Sequence, residues 1–295
     1  LLLEMLLYGV LIPGAAAGLL ALALLRGASA TRSAPYRMAS GVVAIGGGFA
    51  SAFVAYFGVT DLLHPQSWQW VFWASLAALP VWLMRGRLSS PAFLACFTAA
   101  VAALLLQPMI GKLVPRELQT PQVLGWSIGL GVLFGVLVAL LEISAQNFSS
   151  KVLAPAWTIY AAGFAALMFQ LASARLGQMG GFLAAGCGAM AVLAWLKPQR
   201  SLLPGAAVVL VLVLGQVGAN AYFFGSNVAG LPLLLAALPP VILAGATRWQ
   251  WLRNGKPLPS MLVLMILVVI PLGIAFFTTT MGAATNGAGA PEFPY

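Results

Sequence analysis

Run after run of mostly apolar residues, each long enough to cross a bilayer and set apart by short turns that hold the basic side chains, limits this chain to very few folds. A backbone surrounded by hydrocarbon must pair its own N–H and C=O groups, which only α-helices and closed β-barrels achieve. The runs are continuous, without the period-two alternation of a barrel strand, so they predict helices. With 62% hydrophobic and 6% charged residues, the 295-residue chain also has too little polar side chain to cover a water-soluble domain of its length. The expected class is an all-α integral membrane protein.

A span needs about 20 apolar residues. Counting such windows predicts ten transmembrane segments, at about residues 5–25, 38–63, 69–84, 91–110, 123–143, 152–174, 180–196, 203–224, 229–246 and 260–281. The third, seventh and ninth are the shortest. The opening LLLEMLLYGV has no basic leader region and reads as the mature or trimmed start of a transmembrane helix.

Loop charge then orients the chain. With the amino terminus outside, the cytoplasmic turns hold Arg26, Arg32, Arg37, Arg85, Arg87, Lys151, Lys197, Arg200, Arg248, Arg253 and Lys256, while the outer turns hold Lys112, Arg116 and Arg175. Eleven basic residues against three is the asymmetry of the positive-inside rule, so both termini are predicted outside a bacterial-type plasma (inner) membrane. Trp68, Trp70, Trp73, Trp249 and Trp251 fall at predicted interfaces, where amphipathic rings settle. The formal net charge of +9 is thereby an orientation signal, and no basic stripe or solvated domain offers a nucleic-acid surface. A single polytopic domain is expected over residues 1–295: a first four-helix half (1–115), a middle pair (116–178), a second four-helix half (179–284) and a flexible outer tail (285–295).

The eighth segment carries the most information. It places Gln216 and Asn220 one helical turn apart, among Gly215, Gly218 and Gly225. Carboxamides in hydrocarbon need partners, so the pair either glues helices together or forms a polar site at mid-depth for a neutral or anionic solute. The segment also has an echo: Ala55-Tyr56-Phe57 followed by Ala77-Ala78-Leu79-Pro80 returns as Ala221-Tyr222-Phe223 followed by Ala236-Ala237-Leu238-Pro239. Segments 2 and 8 are an even number of crossings apart, so a duplication here would be parallel and relate segments 1–4 to segments 7–10. Two motifs this short, in so restricted an alphabet, fit duplication or coincidence. Tyr56, Tyr222, Gln107 and Gln170 occupy outer halves of their segments, where they would line an outward cavity or anchor at the interface.

Charges near span ends complete the candidates. Glu4, Asp61, Glu142 and Arg175 lie close enough to an interface to be solvated or to snorkel, and Asp61 with His64 is the pair resembling a proton or cation station. Cys96 and Cys187 lack a CxxC spacing and read as small buried core residues. One histidine cannot give a bis-His haem or a multi-His metal centre, and no catalytic triad, HExxH, Walker or zinc pattern is present. No catalytic residue, metal or cofactor is therefore expected, and the chain is not expected to be an enzyme.

Small-xxx-small pairs Gly14/Gly18, Gly125/Gly129 and Gly131/Gly135, and the run Gly46-Gly47-Gly48, suit close helix crossings or oligomer contacts. The fifth segment, with two such pairs, is the expected central or subunit-facing helix. Prolines at 80, 108, 239, 240 and 271 free backbone carbonyls inside segments, as in the broken helices of transporters. The expected function is a small-solute permease or channel-like secondary transporter, with Gln216, Asn220, Tyr222, Tyr56, Gln170 and Asp61 along its path. The alternative is a non-catalytic integral subunit of a larger membrane assembly, packing against other subunits or shielding lipid, quinone or pigment. Expected partners are the lipid bilayer and, through glycine-rich faces, other membrane subunits or further copies of the chain.

Overall fold

The computed structural model describes residues 7–31, 40–58, 65–80, 90–114, 117–196, 202–225, 228 and 230–285. Among these no strand occurs. The helices are α1 (Ile12–Thr31), entered through a π-turn at Leu7–Leu11, then α2 (Ser40–Phe57), α3 (Trp70–Ala77), α4 (Pro91–Ile110), α5 (Thr120–Asn147), α6 (Ser150–Leu171), α7 (Ala174–Leu196) and α8 (Ala206–Phe224). They continue with α9 (Gly230–Ala236), α10 (Leu238–Ala246), the short α11 (Gln250–Asn254) and α12 (Pro257–Thr285).

Seven helices among the described residues are long and apolar enough to cross a membrane: Leu7–Leu24, Pro91–Leu113, Thr120–Asn147, Ser150–Leu171, Ala174–Leu196, Ala206–Phe224 and Pro257–Thr280. Gly41–Phe57 and Gly230–Ala246 are apolar but shorter. The seventh predicted segment turns out to be a full-length helix. The apolar window from the sequence begins at Gly180, with Arg175 assigned to the outer turn before it. Instead Ser173 Oγ accepts the N–H of Leu176 at 3.2 Å and the helix starts at Ala174. The ninth is short for a local reason: Pro239 and Pro240 open α10, where a proline needs no amide partner, and they interrupt the helix that begins as α9.

Helix hairpins form the frame. α6 and α7 run antiparallel, since a Cβ added at Gly180 would meet Ala165 and one at Gly188 would meet Thr158. α4 and α5 do the same: a Cβ at Gly131 would lie 2.6 Å from the Ala99 carbonyl and one at Gly135 would lie 2.5 Å from that of Ala95. Gly47 and Gly48 admit α1, through Leu20, Ala17 and Pro13. Gly125 and Gly129 have nothing within 4 Å, so only the second glycine pair of α5 is used inside the bundle.

α8 is the enclosed helix, touching α2, α3, α4, α5, α6 and α7. It has the largest buried share, 72%, among the seven long helices, against 39% for α5. Of the two roles expected for the fifth segment, central or subunit-facing, the central one belongs instead to the eighth. α2 and α8 run side by side in the same direction, because Gly41 abuts Leu202 and Ala206 while Gly46 abuts Val209. α5 runs the opposite way, with Glu142 next to Gly205 and Phe134 next to Gly215.

Two expectations fail here. Cys96 is exposed, because α4 presents residues 95, 99 and 103 to α5 and turns 96 outward; Cys187 is buried. Glu142 is not solvated: it is 2% exposed, under the turn that leads into α8.

Candidate functional site

The site is built from α8. Gly205 precedes it with φ 82, a left-handed conformation that costs an L side chain about 1–2 kcal/mol, so glycine is the fitting residue. The Gly205 N–H donates to Glu142 Oε2 at 2.9 Å, and the Leu202 N–H donates to Ser150 Oγ at 3.3 Å. The start of α8 is thus fastened to α5 and α6 by two side chains that accept backbone protons.

One face of α8 carries the carboxamides. Gln216 is completely enclosed, and neither its Nε2 nor its Oε1 has a hydrogen-bond partner among the described residues. Asn220, 4% exposed, points Nδ2 at Met109 Sδ of α4 over 3.6 Å, and a thioether is a weak acceptor. Interhelical glue would show amides bonded to each other or to a carbonyl. Among the described residues Gln216 has no such partner and Asn220 has the α4 thioether as its partner, and an unpaired buried amide costs about 1–3 kcal/mol.

On the other side of α8, residues 211, 214, 215, 218, 219 and 222 line a cavity of about 280 Å³, closed by α5, α6, α9 and the junction with α10. Among the described residues its walls are leucine, valine, alanine, glycine and aromatic rings, with no charged residue. Trp126, Tyr222 and Phe223 edge it, with ring centroids 5.1–5.9 Å apart. Tyr160 of α6 also lines it. This residue is 4% exposed and its hydroxyl has no hydrogen-bond partner among the described residues.

The sequence-predicted residues fall in three places. Gln216 and Asn220 share the α2/α3/α4 side of α8, whereas Tyr222, 42% exposed, belongs to the apolar cavity. Tyr56 and Gln170 lie near the start of α7: the Tyr56 hydroxyl accepts from Gln178 Nε2 at 2.8 Å, and Gln170 and Gln178 both line an open cleft of about 460 Å³ between α6, α7 and Phe276 of α12. Asp61 and its neighbour His64 lie outside the described residues.

Gln178 and Tyr160 were missed in the sequence. Gln178 would have been found had the Ser173 cap been recognised, while nothing in the sequence around Tyr160 marks the void beside it. At the same end as Tyr56, Lys112 donates to the Pro65 carbonyl and the Arg175 guanidinium lies 4.6 Å above the Trp68 ring. At the opposite end Arg253 Nη1 donates to Asn147 Oδ1 at 3.2 Å. Among the described residues no three His, Cys, Asp or Glu side chains are grouped to hold a metal ion.

Comparison with protein-family models, with curated proteins and with solved structures finds no match to this chain.

Proposed function

We propose that this chain is a small-solute permease of a bacterial-type plasma membrane, crossing it ten times with both ends outside. The observation that carries the reading is Gln216: a carboxamide at zero exposure, on the helix the others surround, with both polar atoms unpaired. A protein that needed only packing there would gain by having leucine. An amide kept unpaired is available to a solute that can both give and accept a hydrogen bond, which suits a neutral or anionic molecule.

Gln216 and Asn220 look toward α2, α3 and α4, so the path runs along the seam between the first four helices and the last group. Gln216 is fully enclosed in this conformation, as in an occluded state, and rocking of one group against the other would open the seam. Tyr56, Gln170 and Gln178 form the outer vestibule, with Tyr222 and Asp61 assigned to the same outer half. The count of ten adds α2, the proline-broken α9–α10 unit and the third segment to the seven long helices. The shared direction of α2 and α8 favours the parallel repeat.

The test is uptake of labelled neutral solutes, such as urea, glycerol and small amides, into vesicles holding the purified protein. Gln216→Leu and Asn220→Ala are expected to lower flux at least tenfold without loss of folded protein. A second reading, the non-catalytic subunit of a larger assembly, is favoured by Gly125 and Gly129, which stand open beside exposed Trp126 and Ile128 on the outer face of α5. Absence of any flux, with extraction only alongside other polypeptides, would select it.

A further inference from the structure

The geometry points to the cavity beside α8 as a binding site for a neutral, ring-headed lipid whose head carries a carbonyl, of the isoprenoid quinone type, held by a hydrogen bond from the Tyr160 hydroxyl. The site is separate from the Gln216 seam, since Gly215, Gly218 and Tyr222 face it from the other side of the helix, and it does not depend on the permease reading.

Four observations select this occupant. Among the described residues no charged side chain and no carboxamide lines the cavity, so an ion, a sugar or an amino acid would find no partners there for its polar groups. Among the described residues the polar side chains in the wall are phenols and one indole: Tyr160, which is buried, and the more exposed Tyr222 and Trp126. Tyr160 is 4% exposed and unpartnered, and a buried phenol with a void beside it is satisfied by an acceptor such as a carbonyl oxygen. A saturated acyl chain would leave that hydroxyl as it is.

Size gives the head. The cavity of about 280 Å³ lies at the small end of ligand pockets, which run from about 300 Å³ upward, as a ring-sized head group requires. The remainder of the molecule must leave through the side. There Leu133 and Leu234 line the cavity while 38% and 64% exposed, so the exit is apolar and opens where lipid would surround the bundle. Phe134 and Phe164 flank the ring position, and faces of aromatic side chains suit a flat ring.

The experiment titrates a decyl-substituted benzoquinone into the purified protein in lipid nanodiscs and reads quenching of tryptophan fluorescence above the linear partitioning seen with empty nanodiscs. Saturable binding is expected in the wild type. Tyr160→Phe, which removes one oxygen, is expected to weaken it about five- to tenfold. Gly218→Leu is expected to abolish it. A Cβ there would make ordinary contacts of 3.4 Å with Phe164 and 4.0 Å with Leu233, and the rest of the leucine would occupy the cavity. Should Gly218→Leu fail to fold, Tyr160→Phe decides alone. Three results overturn the proposal: no saturation in the wild type, unchanged affinity in Tyr160→Phe, or equal competition by decylbenzene, which would make this an acyl-chain site.

Discussion

Glu142 on α5 and Gly205 before α8 are joined across 63 residues of chain by one 2.9 Å hydrogen bond, with the carboxyl accepting and the backbone N–H donating. This contact, together with a hydrogen bond to the Gln146 side chain, explains how an acid comes to be 2% exposed where no basic side chain faces it among the described residues. The acid replaces water for an amide at a turn that the left-handed Gly205 makes sharp.

The acceptor, not the charge, is then what the fold uses. Glu142→Gln keeps an oxygen for the Gly205 N–H and is expected to unfold within a few degrees of the wild type. Glu142→Ala leaves the N–H unpaired and a void behind it, and is expected to lose about 2–4 kcal/mol. Thermal unfolding of both variants in mild detergent measures the difference. Equal losses would show that a neutral oxygen does not replace the carboxyl, and that the charge, not the acceptor alone, is what the fold uses.

The two glycine pairs of α5 predict opposite outcomes for the same substitution. Gly135→Ala puts a methyl 2.5 Å from the Ala95 carbonyl, where only backbone can yield, so α4 and α5 must separate at a cost of about 2 kcal/mol or more. Gly129→Ala meets nothing within 4 Å and gains helix propensity of up to about 1 kcal/mol. Resistance to detergent denaturation should fall for the first and hold or rise for the second.

What could be read from the sequence follows from what hydropathy encodes. Helical class and the importance of the 206–224 helix come from apolar length and from a lone amide pair, both local properties. Pro239-Pro240 likewise marks the break after α9. Burial of Glu142 was illegible because it depends on a turn 63 residues later folding over it. The outward turn of Cys96 depends on which side of α4 meets α5, a choice that an apolar run leaves open. The same ambiguity scattered the candidate residues: spacing puts Gln216 and Tyr222 on one helix but does not say that one faces the seam and the other a cavity. Leucines around a void look like leucines around a packed core.

Arg175 and Trp68 give a surface prediction. The guanidinium lies 4.6 Å over the indole ring, joining the start of α7 to the turn before α3. Because both groups are partly solvated, Arg175→Gln is expected to cost only about 0.5–1 kcal/mol, and Trp68→Leu adds its lost contact with Phe53 and Phe57. A double-mutant cycle read by thermal unfolding isolates the ring–cation part.

Gln216 offers the sharpest test, because structure and function pull the variant in opposite directions. Its amide is enclosed and unpaired, so replacing it by leucine, of similar length and without polar atoms, is expected to raise stability by about 1–3 kcal/mol. If the amide serves a solute, the same variant loses flux. A protein that becomes more stable and stops transporting has been carrying a residue at odds with its own packing, the signature of a functional position. Gln216→Glu and Gln216→Ala mark the range on either side: the first buries a carboxyl without a partner, and the second removes the amide but leaves a cavity. Were Gln216→Leu to lower stability while flux stayed unchanged, the amide would be serving packing, and the permease path would have to lie elsewhere.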